Sequence, residues 1–120
     1  MAQILLAEDD ESMRAFLARA LERVGHEVTA VADGFEALPH VANNRFDLLV
    51  TDIVMPGMDG LELARRASIE TPGIQVIFIT GFAAVALNSN APRHPNARVL
   101  SKPFHLRSLV DEIERVLQPA

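Results

Sequence analysis

The chain of 120 residues contains no cysteine, which excludes disulfides and thiolate metal sites and fits an intracellular location. It has no apolar run near the roughly 20 residues that a bilayer-crossing helix requires. Its first 30 residues lack the basic start and long apolar core of a signal peptide, so a cytoplasmic protein with no membrane association is expected. Positive charge is also scarce. Sixteen acidic residues face 11 basic ones, for a net charge of −5, and no basic patch is visible, so nucleic acid is not an expected partner. Lysine is the scarcest charge of all: Lys102 stands alone, with arginine supplying the rest. What remains is 49% apolar and 22% charged, a globular composition of a length that suits one domain with one core.

Apolar runs and turn formers alternate along this length. Gln3 to Ala7 reads as a short buried strand. Asp10 or Ser12 opens a helix whose Met13, Phe16, Leu17, Ala20, Leu21 and Val24 share one face, and Gly25 stops it. Glu27 to Val31 is a second strand. A second helix is predicted from about Gly34 to Asn44, kinked or split by Pro39. Phe46 to Thr51 is a third strand ending at Asp52, and residues 55–60 form a loop dense in Pro and Gly. A third helix runs from near Asp59 to Glu70, a fourth strand from Gln75 to Thr80, and a short fourth helix over 82–88. A polar loop to Asn96 leads to a fifth strand, Ala97 to Ser101, and a last helix, His105 to Leu117. Alternating short strands and helices imply an α/β fold, a doubly wound (βα)5 sandwich with a parallel sheet covered on both faces.

Ligands on such sheets bind beyond the carboxyl ends of the strands, so the residues that end strands carry the information. They are Glu8-Asp9-Asp10, Asp52, Thr80-Gly81 and Ser101-Lys102-Pro103. Singly each is ordinary: acidic pairs cap helices, and a strand-terminal Asp or Thr is commonly a turn residue. Together they place several carboxylates, one hydroxyl and the single lysine in one pocket. Clustered carboxylates need a cation or raised pKa values to coexist. Hard oxygen ligands with room for water suit Mg²⁺. Lys102 is a compact charge for a phosphoryl oxygen, and Thr80 can donate to another. Asp52 is then a nucleophile toward phosphorus, with Glu8 and Asp9 on the metal side and Asp10 turned away at the helix start. His26, His40, His94 and His105 show no ligand spacing and are expected at the surface. Met55 and Met58 are expected to pack.

On the motifs Ile4-Leu5-Leu6-Ala7-Glu8-Asp9-Asp10, Thr51 to Gly60, Ile79-Thr80-Gly81 and Ser101-Lys102-Pro103-Phe104, the chain resembles the bacterial response-regulator receiver (CheY-like) family over its full length. The resemblance implies a five-stranded parallel sheet of order 2-1-3-4-5 and five helices, in a single receiver domain over residues 1–120 without an output domain. It implies Mg²⁺ held by Asp9, Asp52 and the backbone carbonyl of Val54, with Glu8 acting through water. It implies phosphoryl transfer from a histidine kinase or histidine phosphotransferase to Asp52, with Thr80 and Lys102 following the phosphate, and a cis Lys102–Pro103 bond. Thr51 to Arg65, Gly81 to Leu87 and Ser101 to Leu106 look like the CpdR-type single-domain regulators of bacterial cell-cycle control. That likeness implies an unphosphorylated form that primes the ClpXP protease.

Val99 stands where many receivers carry an aromatic switch, so coupling through that ring is absent. The alternatives are a phosphate sink, an interaction module with another partner, a degenerate receiver and an aspartyl-phosphate hydrolase. Intact Glu8, Asp9, Asp52, Thr80 and Lys102 argue against degeneracy. Val54, where the hydrolase would need an acid two residues after its nucleophile, argues against an enzyme. Nothing follows the last helix except Gln118-Pro119-Ala120, so output is expected through protein contact, with residues 82–87 as a candidate surface, and a monomer is favoured. The resemblance implies that Val54 and Phe82 border the path of attacking water, and both are expected to lengthen the life of the acyl phosphate. An unchanged phosphoryl half-life in a Phe82→Ala variant counts against that shielding.

Overall fold

The computed structural model describes residues 2–81 and 97–118. Five strands form one parallel sheet of order β2-β1-β3-β4-β5. They are β1 (Gln3–Ala7), β2 (Glu27–Val31), β3 (Leu48–Asp52), β4 (Gln75–Thr80) and β5 (Ala97–Ser101). Four described helices cover it: α1 (Glu11–Arg23), α2 (Gly34–Asn43), α3 (Gly60–Glu70) and α4 (Leu106–Leu117).

The central strands are apolar without a break because both of their faces are buried. Successive side chains point to opposite faces, and the core divides accordingly. Leu5, Ala7, Leu49, Val76 and Phe78 join Ala37, Val41, Leu63, Ala64 and Ala67 on the α2–α3 side. Ile4, Leu6, Leu48, Val50, Ile77 and Ile79 join Leu17, Leu21, Leu109 and Ile113 on the α1–α4 side. Met55 and Met58 pack into the first of these layers, as expected. β5 closes the sheet on one edge and is largely exposed, Val99 included.

Three helices start on an aspartate whose carboxylate accepts an amide of the first turn: Asp10 from Met13 N (2.8 Å), Asp33 from Glu36 N (2.8 Å) and Asp59 from Glu62 N (2.9 Å). Each such cap contributes about 1 kcal/mol, and the first turns Asp10 away from the pocket, as the sequence suggests. Gly25, at φ 102°, follows α1, and the Lys102–Pro103 bond is cis.

Two expectations change. α2 runs from Gly34 to Asn43 through Pro39 and is not split. The carbonyl that loses a donor to the ring belongs to Phe35, an exposed residue in the first turn of the helix. Phe46 is buried ahead of β3 rather than inside it, and the strand takes in Asp52. Of the histidines, His105 is exposed and His40 half-buried. His26 is also half-buried and accepts the Ala2 amide through Nδ1 (3.1 Å). His94, Phe82, the expected fourth helix and the loop to Asn96 lie outside the described residues.

One close approach ties the sheet to α3. A Cβ on Gly60 would lie 2.0 Å from the carbonyl oxygen of Asp52, and the Gly60 amide donates to Ile53 O (2.8 Å). The helix therefore begins against the backbone of the strand end, where only glycine fits. Gly60→Ala should cost about 3 kcal/mol or more in urea unfolding. Gly25→Ala, where nothing lies within 4 Å and only the positive φ resists, should cost about 1–2 kcal/mol.

Candidate functional site

The carboxyl ends of β1, β3 and β4 and the chain after β5 meet at one edge of the sheet. The Glu8 amide continues the β1 ladder to Val31 O (3.1 Å), which fixes the carboxylate just beyond the strand. Asp52 is the last residue of β3. Its carbonyl accepts the buried Thr51 hydroxyl (2.9 Å), and the next amide, Ile53 N, reaches across to Ile79 O (3.1 Å). Thr80 ends β4, and its carbonyl accepts the Lys102 amide at 2.7 Å. β3 and β4 pair Asp52 with Ile79, so Thr80 lies one residue further toward the pocket.

Carboxylate oxygens of Glu8, Asp9 and Asp52 lie within 4.8 Å of one another. Glu8 and Asp52 are buried, at 1% and 4% exposure, while Asp9 is exposed. Lys102 Nζ stands 3.4 Å from Asp52 Oδ1 and 3.7 Å from Glu8 Oε1. Those same two oxygens are buried without a hydrogen-bond donor, so the lysine meets them as an ion pair only. Glu8 Oε2 accepts the Asp10 amide (3.1 Å).

Among the described residues, one cation against three carboxylates leaves the cluster short of positive charge. Burial first, then the neighbouring Glu8 carboxyl, push the Asp52 carboxyl up to about 8, while Lys102 pulls the other way. A hard divalent cation fits this donor set. The ligands are all oxygen, two of their buried atoms lack donors, and the exposed member leaves an entry for water. The residues picked from the strand ends thus converge: Glu8, Asp9, Asp52 and Lys102 share the pocket, and Thr80 is buried at its rim. Val54 is exposed in the connection after β3.

Sequence reasoning missed Arg14. Its Nη1 donates to the Glu8 carbonyl (3.0 Å), holding the turn that carries Glu8 and Asp9. The available signal was its place in the first turn of α1, beside the acidic run.

Asp52→Asn removes the carboxyl whose ionisation the pocket opposes. Without divalent cation at pH 7.5 the variant should melt above the parent by several degrees, at about 4 °C per kcal/mol. The pH dependence follows from the raised carboxyl. In the folded chain Asp52 holds its proton above the ordinary value of 3.8, so its contribution is full below that value and is lost as pH rises through about 8. Metal-free stability should therefore fall across that window, with a shallower slope in Asp52→Asn. Mg²⁺ should raise the melting temperature of the parent and leave the variant nearly unmoved.

Residues 4–114 match the response regulator receiver domain. The chain is 59% identical over 119 residues to the response regulator receiver protein CpdR of Brucella abortus (strain 2308), covering 98% of each. Among solved structures it is similar to the chemotaxis response regulator CheY4 of Vibrio cholerae. The TM-score is 0.82 at 30% identity, over 98% of this chain and 99% of that one. It is also similar to the response regulator TrrA of Thermotoga maritima in complex with Mg²⁺-BeF. Here the TM-score is 0.85 at 26% identity, over 98% and 100% of the two chains. A family match over nearly the whole length, with a relative this similar from end to end, gives one assignment: the chain belongs to the response regulator receiver family.

Proposed function

We propose that this receiver is a phosphoryl-accepting switch in a two-component relay, with Asp52 as the acceptor. One observation carries the reading. The buried Asp52 carboxylate faces Lys102 Nζ at 3.4 Å and stands within 4.8 Å of two further carboxylates. A carboxylate in that setting can act as nucleophile, and the lysine is placed for the oxygens of an incoming phosphoryl group.

In the proposed reaction an Asp52 oxygen attacks the phosphorus of a phosphohistidine on a histidine kinase or histidine phosphotransferase. The phosphorus–nitrogen bond breaks, and the imidazole nitrogen keeps the electron pair. Lys102 and the Thr80 hydroxyl hold two phosphoryl oxygens. Asp9, Asp52 and the Val54 carbonyl are the proposed ligands of Mg²⁺, with Glu8 acting through water. Bound there, the ion supplies charge neutralisation for the phosphoryl oxygens. Removing Glu8–Asp52 repulsion favours the ionised Asp52 that the reaction needs. The solved complex of TrrA with Mg²⁺-BeF supports, by similarity, Mg²⁺ as the ion.

The switch is a shift of population between two surfaces rather than turnover of a substrate. Partners bind one state better. The 98% coverage in both directions with CpdR of Brucella abortus supports a single receiver domain over residues 1–120 that acts by protein contact. On the likeness to CpdR we further propose a role for the unphosphorylated form at the ClpXP protease in cell-cycle control, in the cytoplasm and as a monomer. Among the described residues no helix is long and apolar enough to cross a membrane.

Incubation with Mg²⁺ and acetyl phosphate should add about 80 Da, one phosphoryl group, to the intact mass. Asp52→Ala should show no gain, and Lys102→Ala should gain mass about 100-fold more slowly. A gain that persists in Asp52→Ala would place the acceptor elsewhere. No gain in the parent, from either acetyl phosphate or a phosphohistidine donor, would leave a receiver that does not carry phosphate.

A further inference from the structure

The connection from β3 to α3, residues 53–59, holds one proposed cation ligand, Val54, and starts at another, Asp52. Its ends are fixed by Ile53 N to Ile79 O and by Gly60 N to Ile53 O. Met55 and Met58 are buried beneath it, while Val54, Pro56 and Gly57 face solvent. The first two residues of α2 meet this outer stretch. A Cβ on Gly34 would fall 2.9 Å from Met58 Cβ and 3.0 Å from its Cγ and Sδ. A Cβ on Gly57 would fall 2.4 Å from Phe35 Cε2 and 3.1 Å from its Cδ2. Each segment thus offers a glycine to the other's side chain. Gly57 also sits at φ 80°, which favours glycine. Phe35 keeps 59% of its surface exposed, so its edge lies on the Gly57 backbone while the rest of the ring stays in water.

We propose that Phe35 is a positioning residue. By closing the interlock of Gly34–Phe35 with Gly57–Met58, it holds the β3–α3 connection in the shape that presents the Val54 backbone to a cation beside Asp52. The proposal rests on the receiver reading for its ligand and on the contacts above for its geometry. A ring that merely filled space would contribute to stability alone. A ring that holds the connection also sets the fraction of molecules competent to bind the cation, and apparent affinity scales with that fraction.

Three measurements on the full chain test it. In the metal-free protein, amide hydrogen exchange across residues 54–58 should quicken in Phe35→Ala, while the amides of β1 and β3 keep their protection. Calorimetric titration with MgCl₂ should show a Kd raised about fivefold in Phe35→Ala, largely restored in Phe35→Leu and unchanged in Ile69→Ala, which removes an equally exposed side chain from α3. In a double-mutant cycle, Gly57→Ala should destabilise less in the Phe35→Ala background than in the parent, because the collision is gone and only the backbone strain remains. Unchanged exchange over 54–58, an additive cycle, or a Kd within twofold of the parent would overturn the proposal. Failure of the parent to bind Mg²⁺ would sink the receiver reading and the ligand-positioning role with it. In that case the exchange and the cycle, which need no metal, still decide whether Phe35 holds the connection.

Discussion

Two buried carboxylates, Glu8 and Asp52, share one lysine, and much of the architecture around them follows from that shortage. Burial and the nearness of Glu8 oppose ionisation of both together, which is why the Asp52 carboxyl is pushed up. The sheet nevertheless fixes both, because each sits at or just beyond the end of a strand whose backbone is committed to its neighbours. Lys102 offsets part of the repulsion, and its own position depends on the strand-like bond to Thr80. The pocket is thus strained electrostatically before any ligand arrives, and the fold's stability comes from the two apolar layers far below it. A site assembled in this way is poised to respond to positive charge or to a bound anion that takes up the lysine.

Much of this was legible in the sequence, and the reasons differ from part to part. β4 and β5 fall on the residues expected, Gln75–Thr80 and Ala97–Ser101, because turn formers bracket short runs that admit only one register. Glu8, Asp9, Asp52 and Lys102 were found because topology alone sends strand ends to one place, without any knowledge of side-chain packing. Pro39 misled. The rule against proline in helices weighs the lost bond, and here the orphaned carbonyl belongs to an exposed residue. Arg14 and Phe35 were missed for a different reason. Periodicity reports which face a residue occupies, whereas a guanidinium on a carbonyl or a ring edge on a glycine depends on how closely two backbones approach.

The distribution of exposure also bears on how a signal could leave the pocket. β1, β3 and β4 are buried along almost their whole length, while β5 alternates between partial and full exposure. Val99, on that strand, is small and 48% exposed. A side chain of that size cannot sweep between an inward and an outward position as a large ring can, so position 99 offers no rotating aromatic. Among the described residues, backbone contacts close to the site involve Gly60, Ile53 and Lys102.

The bond from the Lys102 amide to the Thr80 carbonyl has a mechanical meaning of its own. The chain leaves the pocket after Thr80 and returns to it at Lys102, and this 2.7 Å bond joins the point of departure to the point of return. The two residues proposed to grip a phosphoryl group are therefore yoked. A pull on the hydroxyl of one is a pull on the ammonium arm of the other.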